Sequence, residues 1–105
     1  MTTLTFVKRD GDIVSVEAVG HSGYAEHGSD IVCAAISAAM QLCDAALREL
    51  DAGFTATVDD EKTLISLKIH RDSAKAQPIL QALQSVAAQW QKQYSNYIRT
   101  EIQSC

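Results

Sequence analysis

The feature that most limits how this chain can fold is the run at residues 31–50, built mainly from Ala, Leu, Ile and Met with few polar breaks. Its first half is apolar almost all round, which reads as a buried helix. Such a helix has to be covered, and the segments flanking it are of another kind. Leu4 and Phe6 alternate with Thr3, Thr5 and Val7, the period-two pattern of a half-buried strand. Asp10-Gly11 is a two-residue hairpin turn, since glycine accepts the positive φ needed there. The return strand covers residues 13–19, with Val14, Val16 and Ala18 on one face.

After the helix, Gly53 is the expected C-terminal stop. Phe54, Ala56 and Val58 alternate in a third strand, and Ile65, Leu67 and Ile69 in a fourth, with Asp59, Asp60, Glu61 and Lys62 as the turn between them. A second helix is expected from about Lys75 or Pro78 to Gln93, with Ile79, Leu83, Val86 and Trp90 as its apolar stripe, flanked by Leu80 and Ala87. Pro78 has to lie in or before its first turn, or the helix kinks. Residues 97–102 form an imperfectly alternating candidate fifth strand.

The expected fold class is therefore α+β: a two-layer sandwich with a mainly antiparallel sheet of four or five strands and two helices on one face, in the order ββαββα with an optional short last strand. With 105 residues, 47% of them apolar, residues 1–105 are expected to be one domain.

Charge and cysteine usage exclude several function classes. A net charge of −4, with nine scattered Lys and Arg, argues against direct nucleic-acid binding. The start of the chain lacks a basic segment followed by an apolar core. The longest strongly apolar run, residues 31–40, is too short to span a bilayer. A cytoplasmic protein with no membrane partner is expected. Three cysteines without CxxC spacing suit reduced thiols better than a disulfide framework or structural zinc.

The chemistry concentrates between Gly20 and Ser37, which holds three of the five glycines, two of the three histidines and Cys33. Ser29 or Asp30 can cap the helix. Cys33 then sits in the first turn, where free amides and the positive end of the helix dipole favour a thiolate. The alternative is a small buried cysteine among alanines. His21 ends the second strand twelve residues earlier, and the loop can fold back to bring it to Cys33 as a general base. A local loop hydrogen bond is the other reading of this histidine.

Asp30 can orient His21 or simply cap the helix. The cap is favoured, because a carboxylate beside the thiol would oppose its ionisation. Ser37, four residues after Cys33, shares its helix face. It can hold the site, contact a substrate, or be a small packing residue. A metal site of His21, His27 and Cys33 lacks a fourth ligand and regular spacing, and the glycine-rich loop has neither the dinucleotide nor the Walker pattern, so no cofactor is expected. Cys43 reads as core, His70 as structural or exposed, and Cys105 as free. The loop at residues 22–29 is polar and has no apolar period, so it is expected to be mobile without substrate.

The run GHSGYAEHGSDIVCAAIS, residues 20–37, resembles the ribosomal-processing cysteine proteases, the Prp family: Gly-His and a small residue, a glycine-containing loop, then Asp-Ile-Val-Cys-Ala-Ala and a serine four residues past the cysteine. Ser22 stands where the family usually has alanine. Length and element order fit as well, so the resemblance covers the whole chain.

The resemblance implies a cysteine endopeptidase that trims an N-terminal extension from a bacterial large-subunit ribosomal protein, cutting beside an aromatic residue through a thioester intermediate. It implies His21 and Cys33 as the catalytic pair, Ser37 as part of the signature, a ribosomal protein precursor as substrate, and a homodimer. Helix-start amides near Cys33 are the expected oxyanion donors. The competing classes are a non-catalytic ribosome-associated binding module, with Cys33 only a packing residue, and a thiol redox sensor, which lacks an obvious resolving cysteine.

Overall fold

The computed structural model describes residues 1–21, 23, 25 and 30–104. The expectations for the mobile loop, His27 and Cys105 therefore fall largely or wholly outside the described residues. The elements are β1 (Thr2–Arg9), β2 (Asp12–Val19), α1 (Ile31–Glu49), β3 (Gly53–Asp59), β4 (Leu64–Arg71), α2 (Ser73–Gln93) and β5 (Ile98–Ser104). This is the expected α+β class with the fifth strand formed. The strands make one sheet in the order β3-β4-β2-β1-β5.

Two antiparallel hairpins, β1–β2 and β3–β4, join side by side through antiparallel β2–β4 pairing. The β5 strand is parallel to β1 and runs on to Ser104, past the expected limit. A parallel neighbour needs a long crossover, and α2 supplies it.

The β1–β2 turn is as expected: Asp10 (φ 52°) and Gly11 (φ 85°) are both left-handed. The face of β2 is not. Pairing goes from Val7↔Ser15 to Lys8↔Ile13, so Val14 is an extra, bulged residue. The bulge resets the alternation, and Ile13, Val16 and Ala18 are buried while Val14 is only half-buried.

Buried Gln77 of α2 secures this bulge. Its Oε1 accepts from Ile13 N (2.8 Å), and its Nε2 donates to Ile13 O (2.9 Å) and to Ser73 O (3.0 Å). A backbone segment that β4 does not pair is thereby satisfied inside the core.

Helix α1 buries Val32, Ile36, Met40, Cys43 and Leu47, the 3–4 spacing of one face. It is stopped by Asp51, not Gly53. Asp51 is left-handed (φ 53°), with Asp51 N donating to Arg48 O and Ala52 N to Leu47 O, the Schellman closure. Gly53 already belongs to β3. At nineteen residues, α1 is long and apolar enough by length and composition to cross a membrane. The expectation otherwise rested on the run ending at residue 40. Here α1 contributes one side of the core.

Helix α2 begins at Ser73, earlier than expected, which puts Pro78 in its second turn. Its buried stripe is Ala76, Leu80, Leu83 and Ala87, whereas Val86 is exposed and Ile79 and Trp90 are partly buried. Ala76 and Ala87 share that buried face with Leu80 and Leu83, and Ile79 and Trp90 pack at its edge. The core joins these residues to Leu4, Phe6, Ile13, Val16 and Leu67 of the sheet.

Candidate active site

Helix α1 packs beside α2 and leans only lightly on β4, so the inner face of the β3–β4 hairpin is left partly uncovered. Between them runs a cleft of about 1060 Å³. Its floor is apolar: Ala56 and Val58 of β3 pair across to Leu67 and Ile65 of β4. Val58, part of an alternating apolar face, is exposed because it lies beyond the helix, in this cleft. At the C-terminal end of α1, Arg48 pairs with Asp44 (2.6 Å) and lies over the Phe54 ring (5.4 Å to its centroid).

All four site residues expected from the sequence line this cleft: His21, Asp30, Cys33 and Ser37. Cys33 is half-buried in the first turn of α1, and Ser37 is half-buried one turn on, on the same wall. Asp30 is the N-cap. Its Oδ1 accepts from Val32 N (2.9 Å) and Cys33 N (3.0 Å), and it is 8% exposed. Its main-chain carbonyl accepts from Ala34 N (3.0 Å). The amides of residues 32, 33 and 34 are thus committed to Asp30. Of the helix-start amides expected near Cys33 as oxyanion donors, these three are engaged by the cap and the first helical bond.

His21 approaches from the end of β2 and is exposed. Gly20, before it, has φ +95°, and a Cβ there would lie 2.7 Å from Met1 O, so only glycine fits. Two bonds fix this residue: Gly20 N donates to Thr63 O (2.9 Å), and Thr2 Oγ1 donates to Gly20 O (3.0 Å). The imidazole Nε2 lies 3.3 Å from Thr63 Oγ1, the donor being set by the tautomer.

Thr63, at the end of the β3–β4 turn, also lines the cleft. Sequence reasoning stopped that turn at Lys62 and missed it. No local signal could have found it, because its partner is 42 residues away.

The other titratable candidates lie elsewhere. Cys43 is buried on the core side of α1, and burial pushes its thiol up. His70 is exposed and bonded to the Thr55 hydroxyl. Among the described residues no three His, Cys, Asp or Glu side chains cluster as a metal site would need.

A small α+β chain that presents a thiol and an imidazole to one peptide-sized cleft falls in the class of thiol-dependent hydrolases. Comparison with known proteins narrows the class. The family described as cysteine protease Prp matches residues 1–99, and the chain belongs to that family; it is a cysteine peptidase. Among solved structures, the essential ribosomal processing protease Prp of S. aureus with a covalently linked product peptide is 26% identical, with a TM-score of 0.90 over 98% of this chain and 100% of its own. The S. aureus protease with a substrate peptide is 25% identical, with a TM-score of 0.85 over 98% and 100%. SMU.848 from Streptococcus mutans is 26% identical, with a TM-score of 0.86 over 100% and 96%. A search of curated proteins gave no match.

Proposed function

We propose that this peptidase removes an N-terminal extension from a bacterial large-subunit ribosomal protein, with Cys33 as nucleophile and His21 as general base. The observation that carries this reading is the shared cleft, lined by Cys33 in a capped first turn and by His21 at a strand end. His21 takes the thiol proton, and the thiolate attacks the peptide carbonyl. Collapse of the tetrahedral intermediate breaks the C–N bond and leaves a thioester, while the imidazolium returns its proton to the departing amine. Water, deprotonated by His21, then hydrolyses the thioester and restores the thiol.

Ser37 holds or contacts the bound chain one turn from the sulfur. Asp30 acts through the cap. The apolar floor of Ala56, Val58, Ile65 and Leu67 suits an aromatic residue beside the cut. The substrate class is supported by the S. aureus relative, described as a ribosomal processing protease and solved with peptides. A ribosomal precursor as partner puts the work in the cytoplasm. The family resemblance also points to a homodimer, for which Ile31 and Leu42, exposed apolar residues of α1, offer contact surface.

Incubation with the ribosomal precursor, read by mass spectrometry, tests the reading. The intact chain is expected to release the extension, Cys33→Ala to bind without cutting, and His21→Ala to cut slowly. Cleavage by Cys33→Ala near the wild-type rate would overturn it.

A further inference from the structure

Thr63 combines features that its place in a surface turn does not require. Its φ is 50°, a conformation that a β-branched residue rarely takes and that glycine or asparagine takes easily. Strain of this kind persists where the surroundings over-determine it, and it concentrates at functional sites. Thr63 also reaches the histidine segment twice: its carbonyl accepts from Gly20 N (2.9 Å), and its hydroxyl lies 3.3 Å from His21 Nε2. The backbone bond fixes where the strand ends. The hydroxyl contact fixes the rotation of the ring. Asparagine or glycine would relax this turn, but neither would place a hydroxyl at this point.

We propose that Thr63 is a positioning residue for His21, holding the imidazole through Nε2 in the orientation in which it serves Cys33. The proposal rests on the Cys33–His21 reading above and deepens it. Positioning of this kind acts on the chemical step, where a small displacement of a catalytic group costs up to about 100-fold.

The test uses Thr63→Ser, which keeps the hydroxyl, Thr63→Val, which keeps the shape, and Thr63→Gly, which loses the hydroxyl while relaxing the backbone. The readouts are kcat and KM on a synthetic peptide spanning the extension and the start of the mature ribosomal protein, and the rate at which iodoacetamide labels Cys33. Labelling needs no substrate, so a different natural substrate leaves the test intact. In Thr63→Val and Thr63→Gly we expect kcat to fall about tenfold or more with KM within about twofold, and labelling to slow in parallel. Thr63→Ser is expected to stay within about threefold of wild type on both readouts.

Thr63→Gly is expected to fold even if Thr63→Val does not, so its loss of rate would not report unfolding. Wild-type kcat and labelling in Thr63→Gly would overturn the proposal, as would an equal loss in Thr63→Ser. Cys33→Ala and His21→Ala run alongside separate the two levels: activity surviving in those variants defeats the catalytic pair itself, whereas their inactivity beside an unaffected Thr63→Gly defeats only the role of Thr63.

Discussion

Replacing Asp30 with alanine tests whether the helix cap builds the site. The change removes the acceptor of two first-turn amides, Val32 N at 2.9 Å and Cys33 N at 3.0 Å. Loss of an N-cap side chain costs about 0.5–2 kcal/mol. Asp30 is 8% exposed and Val32 is 3% exposed, so water cannot readily replace the lost acceptor, and the upper end, about 2 kcal/mol, is expected. For a chain of this size that lowers Tm by roughly 8–10 °C. Asp30→Asn keeps an acceptor and loses only the charge at the positive end of the helix, a cost of about 0.3–1 kcal/mol. Asp30→Ser keeps a capping oxygen and should also fall short of the alanine loss. Urea denaturation followed by far-UV circular dichroism measures all three, and peptide cleavage follows the position of Cys33 in the turn. An Asp30→Ala protein within about 0.5 kcal/mol of wild type, or one no weaker than Asp30→Asn, would refute the reasoning.

Four further outcomes are expected. Gln77→Leu strips both partners from Ile13 N and O, which Gln77 satisfies in the core; a loss of about 2–4 kcal/mol in urea denaturation is expected. Asp51→Gly relieves a left-handed residue at the end of α1 (φ 53°) and should raise the unfolding free energy from urea denaturation by about 0.5–1 kcal/mol, with cleavage unchanged.

The Cys43 thiol, raised by burial, favours the neutral form in the folded state. Its contribution to stability is therefore full below the unfolded thiol value of about 8.5 and is lost as pH climbs from there through the raised folded value. Urea midpoints at neutral and alkaline pH should show a fall that Cys43→Ala reduces. At pH near neutrality, iodoacetamide should label Cys33 well before Cys43, by peptide mapping.

What the sequence determined by itself was local. The alternation of Leu4 and Phe6, of Phe54 and Ala56, and of Leu67 and Ile69 specified strands, because side chains on a pleated backbone change face at every residue. The run from Ile31 specified a helix, and Ser29 and Asp30 before it placed its start to within one residue and so put Cys33 in its first turn; the structure selects Asp30 as the cap.

What only the tertiary structure decided depends on partners distant in the chain. Val14 reads as an inner residue until the pairing with β1 bulges it out and Gln77 ties down Ile13. The buried face of α2 is that of Ala76, Leu80, Leu83 and Ala87, because docking on the sheet and not side-chain size decides which side of the helix is covered. The amides of Val32 and Cys33, unpaired within the helix itself, are taken up by Asp30 once its side chain turns onto the first turn. Thr63 meets His21 only when β2 and β4 lie side by side, pairing Val19 with Leu64. Periodicity carries no information about such a meeting, since it records which way a side chain points and not what stands opposite it.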